Sequence, residues 1–256
     1  MNKCFTTAIV RLPSPEMIHG ITTAGLGRPD YNLACIQHGR YVNAMEECGL
    51  TVRVLESDSR FPDSVFMEDV ALCLPGFAVI TNPGAESRRG ETECMREVLS
   101  GYFDDIREIR VPGRLEAGDV MMAGSHLFIG LSARTNLEGA GQLIEILTEN
   151  GMSGSTVPLK ELLHLKTGSS YLENNNLLVY KELVEFSGFS GFNRFEVSDS
   201  EAYAANSLWV NGTVLVPMGN PATAARIASA GYRILELDMS EFRKLDGGLS
   251  CLSLRF

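Results

Sequence analysis

Apolar and polar residues alternate along this chain in short runs, and the runs come in pairs separated by turn residues. Residues 70–74 and 77–81 flank Pro75-Gly76, and residues 120–123 and 126–130 flank Gly124-Ser125. Residues 207–210 and 213–217 flank Asn211-Gly212, the strongest short hairpin signal because Asn-Gly favours a type I′ turn. A looser example runs from 169–172 through Glu173-Asn174-Asn175-Asn176 to 177–180. Each pair is followed by a stretch of helical period and then a short strand. The helices are predicted near 91–101, 136–150, 181–186 and 221–230, and the closing strands near 106–111, 155–159, 193–197 and 233–237. Asn136 reads as an N-cap with Gly151 as the stop; Asn220 before Pro221, with Gly231 behind, frames the last helix in the same way.

Four strand–strand–helix–strand units result. A fifth is incomplete at the start, with a strand at 6–11, a helix at 31–48 and a strand at 50–55. Its missing first strand can come from the C-terminus, where Leu252, Leu254 and Phe256 alternate with polar residues. The expected fold class is α/β, a five-bladed propeller of ββαβ repeats closed by the C-terminal strand, with residues 1–256 as one domain. The repeats alone leave open a chance succession of the same elements in an ordinary α/β sheet.

The same C-terminal run, Asp246-Gly247-Gly248-Leu249-Ser250-Cys251, delivers a thiol at the start of that strand. Termini usually fray, so a tied-down thiol there suits a cysteine nucleophile, although a lone cysteine also reads as a small buried core residue. Composition narrows the partners. A net charge of -10 disfavours nucleic acid or an anionic membrane and suits a small cationic substrate. Cys4, Cys35, Cys48, Cys73, Cys94 and Cys251 form no Cys-x-x-Cys pair and no Cys/His cluster of zinc spacing. Scattered thiols imply a reducing compartment, here the cytoplasm. The N-terminus lacks the apolar core of a signal peptide, and no apolar run would span a membrane.

The segments before the hairpins carry the titratable groups. Asp63, Glu68 and Asp69 precede the first, Glu116 and Asp119 the second, His164 the third, and Cys251 the terminal strand. Equivalent positions of a ring lie at one end of its axis, so these groups should converge. A second recurring position, after the hairpin and before the helix, carries Arg88 and Arg134, which could hold a carboxylate in two-pronged fashion. Singly, each group has an ordinary reading: Asp63 and Asp69 as turn residues, Glu116 and Asp119 as surface partners of arginines, His164 as a satisfied core histidine, Arg88 as part of a solvated face. Their joint recurrence favours a pocket for a zwitterion with a cationic end, such as an arginine derivative.

Arg60-Phe61-Pro62-Asp63-Ser64-Val65-Phe66, the run from Gly84 to Glu93, Ser132-Ala133-Arg134-Thr135-Asn136, Leu163-His164-Leu165-Lys166-Thr167-Gly168 and Asp246 to Cys251 together resemble the dimethylarginine dimethylaminohydrolase family, in its bacterial form, of the guanidino-group-modifying (pentein) superfamily. The resemblance covers essentially the whole chain. It implies the five-bladed α/β propeller and hydrolysis of Nω-methylated arginine, dimethyl or monomethyl, to citrulline and a methylamine. It assigns the nucleophile to Cys251, acid/base catalysis to His164 and a supporting carboxylate to Glu116. It places guanidinium contacts on Asp63, Glu68 and Asp69, carboxylate contacts on Arg88 and Arg134, and main-chain contacts to the α-amino end near Ile21 and Leu245. Ile21 stands where leucine is more usual, a change a main-chain contact should survive. No cofactor and no metal is expected, and a homodimer is compatible with the resemblance. Arginine deiminase shares the chemistry but usually carries a helical insertion for which this chain has no room. A non-catalytic arginine-binding protein would not need the thiol. In a papain-like protease the cysteine precedes the histidine, the reverse of the order here.

Overall fold

The computed structural model describes residues 4–256. Its strands are β1 (Thr7–Arg11), β2 (Thr51–Leu55), β3 (Ala71–Leu74), β4 (Phe77–Ile80), β5 (Asp105–Glu108), β6 (Val120–Ala123), β7 (His126–Leu131), β8 (Ser153–Pro158), β9 (Ser169–Tyr171), β10 (Asn176–Val179), β11 (Asn193–Glu196), β12 (Leu208–Val210), β13 (Thr213–Pro217), β14 (Arg233–Leu237) and β15 (Ser253–Arg255). The α-helices are α1 (Tyr31–Glu47), α2 (Met95–Ser100), α3 (Leu137–Glu149), α4 (Pro221–Ser229) and α5 (Ser240–Arg243).

The strands form five three-stranded sheets of one pattern. A central strand pairs antiparallel with its hairpin partner and parallel with the strand that returns after the connecting segment. The expected terminal strand is present: β15 pairs antiparallel with β1, Ile9 opposite Leu254, while β2 pairs with β1 in parallel. The Asn211-Gly212 turn has φ of 49° and 88°, the left-handed pair a type I′ hairpin requires.

Hydrophobic patterning explains which strand is central. The middle strands β4 (Phe-Ala-Val-Ile) and β13 (Thr-Val-Leu-Val-Pro) are buried throughout, whereas the outer parallel strands β2 and β14 are half-exposed. A strand covered on both faces can be continuously apolar; one at the rim alternates.

The chain divides into two compact units. One comprises residues up to Met67 together with Val197–Phe256, the other Glu68–Glu196. The first holds two sheets, β15-β1-β2 and β12-β13-β14, and a core in which Ala8 and Val10 of β1, Tyr41 and Met45 of α1, Leu215 of β13 and Phe242 of α5 pack together. The second holds three sheets and two cores: Val79, Leu127, Ile129, Leu143 and Leu147 around α3, and Phe128, Leu165, Leu177, Val179 and Phe189 around β10. The larger aliphatic side chains and phenylalanines among these contribute about 1.5–3 kcal/mol each when fully buried.

Three local expectations are corrected. Residues 181–186 do not form an α-helix; single 3-10 turns occur at Lys181–Leu183 and Ser187–Phe189, and Lys181 has φ of 50°, outside the helical region. So short a segment does not meet the cost of helix nucleation. The helix expected over 91–101 is confined to α2, because Glu86–Thr92 winds as tighter 3-10 turns. Asn220 does not cap α4: its Nδ2 donates back to the Pro217 carbonyl, and the Glu201 carboxylate accepts the Ala222 and Thr223 N–H groups instead. Asn136 does cap α3, accepting from Gly139 N–H at 2.9 Å.

His38 of α1 is buried with its Nε2 facing no hydrogen-bond partner among the described residues. Burial lowers its pKa to about 4, against a hydrogen bond to the Arg11 backbone that favours the charged form. A lowered native pKa means that the unfolded chain takes the proton first. The protein should therefore lose about 3 kcal/mol of stability as pH falls from 6.5 towards 4, each tenfold difference in proton affinity being about 1.4 kcal/mol. Denaturant titrations across this range should show the loss in the parent, and a clearly smaller one in His38→Gln.

Candidate active site

Glu116, His164 and Asp69 all stand at the entry to the first strand of a repeat. Glu116 precedes the turn Ala117–Asp119 that feeds β6, His164 the turn Leu165–Thr167 that feeds β9, and Asp69 lies in the turn Met67–Val70 that feeds β3. The Glu68–Glu196 unit brings them together. Glu116 is buried; its Oε2 is 2.8 Å from His164 Nε2, and its Oε1 accepts the Ala85 N–H at 2.9 Å. Asp69 Oδ1 accepts the Gly118 N–H at 3.0 Å. A Cβ on Gly118 would stand 2.8 Å from both Asp69 Oδ1 and His164 Nδ1, so glycine alone lets the two side chains close on this backbone.

Electrostatics set the protonation of this group. Burial disfavours a charged imidazole, but the carboxylates of Asp119, Asp69 and Glu116 outweigh it and raise the His164 pKa to about 9. Burial likewise opposes the charged form of Glu116, yet the imidazolium and Arg88 hold it below the usual carboxylate range. Asp119 is held by the Leu165 N–H and the Ser132 hydroxyl, and burial pushes its pKa up. His164 is thus a charged acid at neutral pH.

The two arginines differ. Arg88 is buried; Nη1 lies 2.5 Å from Asp69 Oδ2, and Nε and Nη2 donate to Glu91. To meet a substrate carboxylate it would have to release one of these partners. Arg134 is partly exposed, with Nη1 3.7 Å from Glu116 Oε1. Glu68 is buried and ion-paired to Lys166 at 2.5 Å.

The other unit carries Cys251, half-buried in the turn Ser250–Leu252 just before β15. The Gly248 N–H points at its Sγ, 3.3 Å away. Tyr41, fully buried, donates to or shares protons with the Leu249 carbonyl and Ser253 Oγ. Asp63 accepts the Ile21 N–H at 3.0 Å, and the Leu245 side chain lies beside Gly20. Thr22 Oγ1 donates to the Lys244 carbonyl and Thr23 N–H to Asp246 Oδ2, so the segment after Gly20 is tied to the loop that holds Leu245.

Asp69, Glu116 and His164 also present one ligand atom each within 4.8 Å of one another, close enough to hold a metal ion. Those atoms already have internal partners: the Gly118 N–H and Arg88 on Asp69, and each other for Glu116 and His164. An ion would have to displace these bonds. The sequence points to no role for Glu91 or Lys166, and places Asp119 among the converging groups without assigning it a contact. Asp119 shares the pre-hairpin position with Glu116, which was the available signal; the Arg88–Glu91 pairing at i,i+3 was another.

Residues 30–149 match the family model described as N,N dimethylarginine dimethylhydrolase, eukaryotic. Over 253 residues the chain is 51% identical to the N(G),N(G)-dimethylarginine dimethylaminohydrolase of Pseudomonas aeruginosa, an alignment spanning 98% of this chain and 100% of that one. The chain belongs to the dimethylarginine dimethylaminohydrolase family. It is accordingly a hydrolase of amidine C–N bonds. Among solved structures, a cysteine-to-serine variant of the Pseudomonas aeruginosa enzyme with citrulline matches with a TM-score of 0.98 at 50% identity, covering 99% of this chain and 100% of that one. A histidine-to-glycine variant of a dimethylarginine dimethylaminohydrolase, an adduct with S-methyl-L-thiocitrulline, matches with a TM-score of 0.97 at 50% identity, covering 98% and 100%.

The His164–Glu116 pair has a pH signature. Because the native imidazole pKa lies above 6.5, its stabilisation is full below about pH 6.5 and is lost as pH rises through about 9. The Glu116 contribution, with a lowered pKa, is present above the ordinary carboxylate value of 4.5 and lost in acid. Imidazole resonances of the parent should titrate near 9, and Glu116→Gln should move that midpoint towards neutrality. An unmoved midpoint would sever the link between the two residues.

Proposed function

We propose that this chain hydrolyses Nω-methylated L-arginine, dimethyl and monomethyl, to L-citrulline and a methylamine through a covalent Cys251 intermediate. One observation carries the reading. In the numbering of the two family variants just described, the replaced cysteine and histidine are separated by the interval that separates Cys251 from His164. One of those proteins holds citrulline and the other a thiocitrulline adduct. The five sheets of one pattern, with β15 pairing with β1, support reading the fold as a five-bladed α/β propeller; one catalytic domain and a cytoplasmic location belong to the same proposal.

The chemistry follows from the groups available. A guanidinium carbon is a poor electrophile because its charge is delocalised, and a thiolate is the strongest common side-chain nucleophile near neutral pH. Cys251 Sγ attacks that carbon while Asp69 and Glu116 orient and polarise the guanidinium. The carbon–nitrogen bond to the methylated nitrogen breaks as His164, charged at neutral pH, gives that nitrogen its proton. Dimethylamine or methylamine departs, leaving an S-alkylthiouronium. Neutral His164 then takes a proton from water, the hydroxide adds to the same carbon, and collapse frees citrulline and the thiolate. Asp63 and Glu68 complete the acidic lining, Ile21 and Leu245 supply main-chain contacts to the α-amino end, and Arg134, with Arg88, faces the α-carboxylate. Among the described residues no helix is long and apolar enough to cross a membrane.

Two outcomes test this. Cys251→Ser should keep the fold and much of the substrate affinity but lose turnover by roughly a thousandfold or more, measured as citrulline formation from dimethylarginine. A near-parental rate would remove Cys251 from the reaction, and a blank parent would leave only a binding protein.

The arginines are tested with a substrate that lacks the α-carboxylate. Arg134→Ala should cost about tenfold to a hundredfold in kcat/KM on methylarginine, a charge-assisted bond being worth ~1.5–3 kcal/mol, and almost nothing on the decarboxylated analogue. Arg88→Ala should lower thermal stability as well, because it strands Asp69 and Glu91 as buried charges. Equal losses on both substrates for Arg134→Ala would refute the carboxylate contact.

A further inference from the structure

The repeat that begins with β12 also has a residue at its entry, and it is neither an acid nor a nucleophile. Asn206 closes the 3-10 segment Asp199–Ala205 and stands just before β12, as Asp69 stands before β3 and Cys251 before β15. It is buried. Its two polar atoms reach the residue next to the thiol: Oδ1 accepts the Ser250 N–H at 3.0 Å, and Nδ2 donates to Ser250 Oγ at 3.0 Å. Its carboxamide also lies close against Gly248, where a Cβ would stand 2.5 Å from Asn206 Cγ and Oδ1. Gly248 in turn donates its N–H to Cys251 Sγ at 3.3 Å, and its carbonyl accepts the Cys251 N–H at 3.2 Å.

We infer that Asn206 is a positioning residue for the nucleophile: by holding Ser250 and bracing Gly248 it keeps the Gly248 N–H aimed at Cys251 Sγ, and so sets the reactivity of the thiolate. The inference rests on Cys251 as the nucleophile proposed above. An N–H donated to sulfur stabilises the anion over the thiol, and a donor braced in place before reaction need not be reorganised during it. The Asn206 carboxamide suits this role because it offers one acceptor and one donor without charge; a carboxylate here would oppose the thiolate. Arg255 fixes the opposite side of the same turn, with Nη1 donating to the Ser250 and Ser253 carbonyls. The turn thus has little freedom once Asn206 is in place.

The test is the pH profile of Cys251 alkylation by iodoacetamide, followed on the Cys251 peptide by mass spectrometry so that the other five thiols do not count, alongside kcat and KM for dimethylarginine. Asn206→Ala should move the alkylation midpoint to higher pH and slow alkylation at pH 7 by about three- to tenfold, the worth of one hydrogen bond. It should lower kcat at least as much with little change in KM. Asn206→Ser, which retains a hydroxyl for one Ser250 group, should shift both in the same direction by less, and it serves where alanine does not fold. Ser250→Ala keeps the N–H that Asn206 accepts but removes the hydroxyl that takes the Asn206 Nδ2 bond and lies 4.0 Å from Cys251 Sγ, so its shift should be clearly smaller than that of Asn206→Ala. Folded Asn206 variants with the parental midpoint and kcat would overturn the inference, as would Ser250→Ala reproducing the full effect. Cys251→Ser separates this from the parent reading: retained turnover there defeats the nucleophile itself, whereas lost turnover with unaffected Asn206 variants defeats only the role of Asn206.

Discussion

The contact between His164 and Glu116 is the constraint on which the site in the Glu68–Glu196 unit depends. A charged imidazole enters a protein interior only against a compensating charge, and a buried carboxylate has the same requirement. The two answer one another at 2.8 Å. Asp69 and Asp119 add further negative potential around the imidazole, and Arg88 spans Asp69 and Glu91. Buried groups of alternating sign therefore face one another, and His164 and Glu116 favour each other's charged forms. Removing any one leaves another charge without its counterpart. Interlocked charges of this kind are a poor way to gain stability but an effective way to fix the protonation state of a histidine.

The repeat explains how such groups are delivered. Each sheet places its most apolar strand in the middle and leaves the entry to its first strand as a short turn. Those turns, and not the strands, carry Asp69, Glu116, His164, Asn206 and Cys251. The rigid part of each repeat supplies position while the turn carries the candidate functional groups, the usual division of labour between scaffold and loop. A turn still has to be held. Gly118 permits the closest approach of Asp69 and His164, and the turn bearing Cys251 is fastened by Tyr41 on one side and Asn206 on another.

The state of the histidine bears on what the family can do with a guanidinium. An amine cannot leave as its anion, so an acid must be present before the carbon–nitrogen bond breaks. An imidazole of ordinary pKa would be mostly neutral at pH 7. Three nearby carboxylates make it an acid there. Under the proposed function the same carboxylates would also meet the cationic substrate, so that one set of charges would serve recognition and catalysis together.

Sequence alone determined the repeat, the strand that returns from the C-terminus and the residue types that stand at the hairpin entries. These are local signals: period-two alternation, Asn-Gly at a hairpin, a cap at Asn136. They fail where a distant group competes with a local one. Asn220 looked like the cap of α4, but the carboxylate of Glu201 reached the same N–H groups from another segment. Residues 181–186 had helical period and too few residues to nucleate. Arg88 and Arg134 were indistinguishable as letters in equivalent places; burial beside Asp69 and Glu91 made one of them part of the charge network and left the other partly open. Asn206 carried no sequence signal of chemistry at all. Partners, burial and proton affinity are properties of which side chains end up within a few ångströms of each other, and only the tertiary structure decides that.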